Sequence, residues 1–189
     1  MTRNIVFLLL SLTCGQRIFA QTASDTAAIK NKLTAILDRD QKTRAKGDST
    51  QFMNYIDSCN LVQVEILIAK YGWLGKSFVG AKGNGTVFLV IQHADLATQE
   101  KYLPLLQKSV EQGESRPADL ALLQDRVLMR QGKKQIYGSQ VVFNKTTGAQ
   151  EFYPIEDEKN VNIRREKVGL QPMEEYAKHF GIDYKLPTQ

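Results

Sequence analysis

The sequence predicts a mainly α fold, a single helical domain over residues 21–189 with one β-hairpin in its C-terminal half. Three observations predict it. Apolar residues recur at spacings of three and four through most of the chain up to Met129. Helix start and stop signals separate these stretches: Gly47, Asp48-Ser49, Pro117 and Gly132. After Gly132 the texture changes to short alternating segments on either side of Asn144-Lys145-Thr146-Thr147-Gly148, which reads as a hairpin.

Residues 1–20 read as a secretory signal peptide. Arg3 opens it, Ile5 to Leu12 form an apolar stretch too short to span a bilayer, and small Ala20 precedes Gln21. The expected destination is the periplasm or the medium, with no transmembrane segment. A variant of the same targeting anchors the chain through a lipid on Cys14, which Ser11-Leu12-Thr13 match poorly as a preceding motif. Cleavage removes Arg3 and Arg17 and lowers the formal charge from +5 to +3. So mild and dispersed a surplus has no dense basic stripe, and nucleic acid is not an expected partner. Cys59 is then the one remaining cysteine, so no intrachain disulfide can form. Its neighbours Tyr55, Ile56, Leu61 and Val62 suit a buried, unreactive thiol.

The elements follow in order. Ser24-Asp25 caps a helix beginning near Thr26, with Ile29, Leu33, Ile36 and Leu37 on its stripe and Gly47 as its stop. Gln51 to about Lys70 forms a second helix with a broad apolar face of Phe52, Tyr55, Ile56, Cys59, Val62, Ile66 and Ile68. Gly72, Gly75, Gly80, Gly83 and Gly85 mark a loop folded back on the core, and its spacing fits neither phosphate-binding fingerprint. Asn84 is expected to cap the next helix, which carries Val87 to Ile91 and continues through Ala94, Leu96 and Gln99. Further helices cover Lys101 to Glu111, Pro117 to about Gly132, Val161 to Val168 and Met173 to Phe180. The hairpin pairs Gln135 to Phe143 with Gln150 to Tyr153.

Three polar clusters stand out against this background. Val87 to Ile91 run directly into Gln92-His93-Ala94-Asp95, as if a core element delivered polar groups to the edge of a pocket. On a continuous helix Gln92, Asp95 and Gln99 share a face and His93 lies about 100° away; if Asp95 instead caps a new turn, His93 and Asp95 converge. A histidine beside a carboxylate is a usable acid–base pair, and the same two residues equally suit a buried histidine bonded to backbone and a helix cap. Asp125-Arg126 sits in an apolar helix, where each charge needs a partner: a protein group, or a ligand carboxylate or phosphate held by the Arg126 fork. Gln135, Tyr137 and Ser139 point one way on a strand, and Gly138 marks a bulge or a close backbone approach. Ser139 lacks the nucleophile-elbow spelling. His93, Asp95 and Asp125 are conceivable metal ligands, but no His-x-x-x-His or Cys-x-x-Cys pair supports them, so no metal or other cofactor is expected.

Taken in order, Trp73, the Gly80 loop, Gln92-His93-Ala94-Asp95, Asp125-Arg126, Gln135-x-Tyr137-Gly138 and Arg164-Arg165 through Val168-Gly169-Leu170 resemble the uncharacterised bacterial family known as domain of unknown function 6624. The resemblance covers roughly Trp73 to Tyr176. The family more often has threonine at the position of Ser139, which keeps the hydroxyl. It carries no established activity, so the resemblance implies that these positions matter without implying a mechanism.

Three functions fit. The first is an acid–base enzyme of hydrolase type, with His93, Asp95 and Tyr137 catalytic and Gln92, Asp125, Arg126 and Gln135 binding the ligand. The second is a non-catalytic binding module for a small polar molecule or peptide, using the same residues. The third is a buried polar network that fixes the fold.

Overall fold

The structure is a computed structural model that describes residues 6–187, with side chains described from residue 24. The signal-peptide reading of residues 1–20, Cys14 included, falls outside the residues whose side chains are described. The element order is α1 (Val6–Ala45), α2 (Thr50–Tyr71), α3 (Lys76–His93), α4 (Leu96–Glu111), α5 (Pro117–Arg130), β1 (Val141–Phe143), β2 (Gln150–Phe152), a 3₁₀ turn (Glu158–Asn160), α6 (Val161–Lys167) and α7 (Met173–Lys178). The fold is mainly α with one hairpin in the C-terminal half, as predicted. Among the described residues, no helix is long and apolar enough to cross a membrane.

α3 is the centre of the packing and touches α1, α2, α4 and α5. A helix enclosed on all sides must be apolar all round, which explains the uninterrupted Val87 to Ile91 run. Val87 and Ile91 are fully buried there with Leu33 of α1, Val64 of α2, Leu106 of α4 and Leu123 of α5. A second, smaller cluster of Ile155, Val161 and Met173 lies under α6 and α7.

Ser24-Asp25 is not a cap, because α1 runs unbroken through it from Val6 to Ala45, but two later capping signals do mark helix starts. The Ser49 hydroxyl accepts from the Phe52 amide at 3.3 Å, and Pro117 opens α5. The glycine-rich segment is not the expected loop. From Lys76 onward it is helical, broken only at Gly80 (φ +77°). Gly83 lies where an added Cβ would press on Val79 one turn earlier, at 3.0 Å, and on Leu33 of α1, at 3.2 Å, so its small size serves the packing of α3 on α1. That close approach outweighs the roughly 1 kcal/mol that a helical glycine costs. Asn84 is accordingly no cap. It is buried inside α3, and its side-chain amide donates to Leu74 O and Ser115 Oγ, each at 2.9 Å.

Two other expectations need correction. α3 ends at His93 rather than continuing to Gln99, because Ala94 is extended (φ −66°, ψ 175°) and Asp95 starts α4. On α2 the core face is Ile56, Asn60, Val64, Leu67 and Ile68, whereas Phe52, Tyr55, Val62 and Ile66 are exposed. Cys59 is half-buried on that outer side and not a core thiol. The α1 packing selects one of two apolar stripes that a single helical wheel cannot rank.

The hairpin is shorter than its alternation suggested. Val141, Val142 and Phe143 pair with Phe152, Glu151 and Gln150. Residues 135–140 leave the ladder, apart from a parallel bridge between Gln135 and Ile155.

Candidate functional site

His93 is the last residue of α3, and the turn at Ala94 sends the next residue elsewhere. The Asp95 carboxylate accepts from the Thr98 amide at 2.8 Å as the cap of α4, and that amide holds its carboxyl below the usual carboxylate range. The His93 ring turns instead towards α1 and α2. Its Nδ1 lies 3.4 Å from Asp40 Oδ1 and 2.6 Å from Arg44 Nη2, and the same nitrogen of Arg44 lies 2.7 Å from Asp57 Oδ1 and 3.1 Å from Asp40 Oδ1. Asp40 is 2% exposed. Burial by itself would push its carboxyl up, but the His93 ring and the Arg44 guanidinium outweigh burial and hold it at about 2.

This cluster borders an open hollow of about 300 Å³ lined by Asn54, Asp57, Ser58, His93, Asp95 and Arg130, among others. His93 and Asp95 therefore face one space without bonding to each other. Nε2 of His93 has no hydrogen-bond partner among the described residues, while Nδ1 is engaged from behind. Arg130 donates to Ala94 O at 2.5 Å and ties the end of α5 to the end of α3. Arg126, one turn earlier on α5, donates through Nε to Gln140 Oε1. No carboxylate among the described residues forms an ion pair with it. Burial pushes its pKa down, and the nearby cations Arg130 and Arg44 push the same way.

The remaining predicted residues form a different structure. Asp125 is fully buried, and its carboxylate accepts from the backbone amides of Ile136 (2.7 Å), Tyr137 (3.0 Å) and Ser139 (3.0 Å). Burial pushes this carboxyl up, against the pull of those amides. The Gln135 side chain imitates a strand neighbour: Oε1 accepts from Gln140 N at 2.7 Å, and Nε2 donates to Gln140 O at 3.0 Å and Tyr153 O at 2.6 Å. The loop carbonyls are held by two arginines. Arg164 Nε donates to Ile136 O at 2.8 Å and Arg165 Nη1 to Tyr137 O at 2.6 Å. Arg165 is 1% exposed and lies over the Tyr176 ring, 4.7 Å from its centroid. Gly138 (φ +67°) completes the loop, where an added Cβ would stand 2.6 Å from Met173 Sδ.

Asp125 and Gln135 are thus spent on holding backbone, as in the third of the three functions. Tyr137 is half-buried, and burial followed by the Asp125 charge pushes its phenol pKa up. Gln92 faces the core: it donates to Leu122 O at 3.3 Å, and its Oε1 is buried without a partner. It shares no face with Asp95, because the helix ends between them. Arg126 joins this network through Gln140 and does not itself line the His93 hollow, although the charges of Arg130 and Arg44 beside the hollow act on it.

Sequence reasoning missed Asp40, Arg44, Asp57 and Arg130. Asp40 and Arg44 carried a visible signal, an acid and a base four residues apart on one helix. Nothing local in the sequence connects either of them to His93.

No curated protein and no solved structure matches the chain. A family model does match, over residues 13–188, nearly the whole length, and its description is a family of unknown function, DUF6624. The chain that places His93 between two aspartates and an arginine belongs to that family.

Proposed function

We propose that the protein is an exported acid–base enzyme of hydrolase type, acting on a small anionic molecule in the His93 hollow. The observation that carries this reading is the two-sided environment of His93. A buried carboxylate and a guanidinium lie against Nδ1 from behind, and Nε2, at an open hollow, has no hydrogen-bond partner among the described residues. With the ring proton on Nδ1 and donated to Asp40, and Arg44 turned to the two aspartates, the carboxylate orients the ring and stabilises the cation formed when Nε2 takes a proton. Asp40 takes the place expected for Asp95. The hollow offers no activated nucleophile, since its Ser58 hydroxyl donates to Asn54 O at 2.9 Å, so the attacking group would be a water activated by His93. Arg130 on the wall and Arg126 one turn before it on α5, a half-buried cation with no carboxylate partner among the described residues, favour an anionic substrate.

A second reading, a binding module without chemistry, is favoured by one distance. Arg44 can only donate, so its 2.6 Å approach requires a bare Nδ1 and puts the ring proton on Nε2, where the ring is a donor and not a base.

Thermal-shift screening of residues 21–189 against small carboxylates and phosphate esters tests both readings, followed by hydrolysis assays on the compounds that bind. The expected result is binding that Arg126→Gln weakens by about 10-fold or more, and turnover that His93→Gln abolishes while binding stays within about 3-fold. Binding without turnover selects the second reading. No binding by any anion class refutes both. Fractionation of expressing cells, with N-terminal sequencing for a start at Gln21, tests export.

A further inference from the structure

The outer side of α2 carries a stripe that the fold leaves uncovered. Phe52, Tyr55, Cys59, Val62 and Ile66 follow one another at spacings of three, four, three and four, and Ala69 extends the line. This is the 3.5-residue period of a helix that packs seam to seam against another helix. The period is displaced from the core face of the same helix, which runs through Ile56, Asn60, Val64 and Leu67. Phe52 is 45% exposed, Tyr55 63%, Val62 58% and Ile66 58%. An aromatic side chain presents about 200 Å² and the aliphatic ones somewhat less, so these four leave on the order of 400 Å² of apolar surface. Isolated exposed apolar residues need no explanation, but a contiguous patch of this size does.

We propose that this face is a self-association surface on which a second copy of the chain docks, α2 against α2 about a two-fold axis. Three features select a second copy as the occupant. The alternating spacing calls for a partner helix of the same period, and the stripe itself supplies one, as a self-complementary two-fold contact requires. Two such patches bring about 800 Å² together before any flanking residue contributes, close to the roughly 1,000 Å² at which specific interfaces begin. Within α2 the flanks of the stripe are Gln51, Ser58, Gln63 and Glu65, with no base before Lys70, and at the Phe52 end α1 and the turn after it bring Arg39, Lys42 and Lys46 together with Asp38. A helix that lies on a lipid surface has a uniformly basic polar face, so this mixed surround fits protein and not membrane. Of the α2 residues that line the His93 hollow, Asp57 lies on the side away from the stripe and Ser58 beside it, so the hollow opens next to the proposed interface.

Sedimentation or light scattering of residues 21–189 across the micromolar range tests the proposal. The expected result is a reversible dimer for the natural sequence, and a monomer for Val62→Glu combined with Ile66→Glu, with unchanged far-ultraviolet dichroism. Because both positions are exposed, the variant keeps its core, and thermal melting of its monomer verifies that it folds. A natural chain that stays monomeric to about 100 μM, or a folded double variant that still dimerises, overturns the proposal. A monomer that instead binds anionic vesicles overturns it in favour of a membrane surface.

Discussion

Arg44 Nη2 lies 2.6 Å from His93 Nδ1, closer than it lies to either aspartate it serves. One nitrogen with two hydrogens faces Asp40, Asp57 and the imidazole, so the His93 tautomer decides whether the ring is one of its acceptors. Arg44 favours the proton on Nε2 and Asp40, at 3.4 Å, favours it on Nδ1, so the two compete for the His93 tautomer.

Replacing Arg44 by Met is expected to move the ring proton from Nε2 to Nδ1, where it bonds to Asp40. Nitrogen-15 spectra of the imidazole at neutral pH distinguish the two tautomers directly. A natural protein already in the Nδ1–H form would refute the role given to Arg44.

Asp40 makes the protein sensitive to acid. Its carboxyl stands at about 2 in the folded protein against 3.8 ordinarily, so the folded state gives up this proton more readily than the unfolded chain. A lowered carboxyl contributes stability that is present above about pH 4 and lost as pH falls through about 2, in total about 2 kcal/mol. Urea unfolding at pH 2 to 5 should show this slope in the natural protein. Asp40→Asn should flatten it and lower stability at neutral pH by a comparable amount.

The loop at residues 135–140 should be the more fragile of the two polar assemblies. Asp125→Ala strands three backbone amides in the interior and is expected to cost about 3–5 kcal/mol. Gly138→Ala combines a left-handed backbone with contact against Met173 and Ile155 and is expected to cost about 1–3 kcal/mol. Thermal melts of both variants test this. Melting temperatures within a degree or two of the natural protein would show that the loop is not held as described.

The binding prediction for Arg126→Gln in the ligand screen has a counterpart in stability. Arg126 has no carboxylate partner among the described residues, so the substitution should leave the ligand-free protein as stable as before or more so. Chemical denaturation without ligand measures it, and a loss above about 2 kcal/mol would make Arg126 structural rather than a ligand group.

By itself the sequence determined the helical class, most helix ends, the hairpin and the central buried segment, because these follow from short-range periodicity and from caps such as Ser49 and Pro117. It also picked out His93, Asp125, Arg126 and Gln135 as residues of consequence, since polar groups in apolar surroundings need partners whatever the fold. Only the tertiary structure decided which partners they have. Asp125 and Gln135 hold a loop, Asp95 caps α4, and His93 meets Asp40 and Arg44, which lie 53 and 49 residues earlier in the chain. Gly83 sits in a helix and not a loop, close against Val79 and Leu33, and α2 buries the one of its two apolar stripes that meets α1 and α3. Each of these outcomes depends on which helices pack side by side, and a spacing rule that reaches four residues along one chain segment carries no information about that.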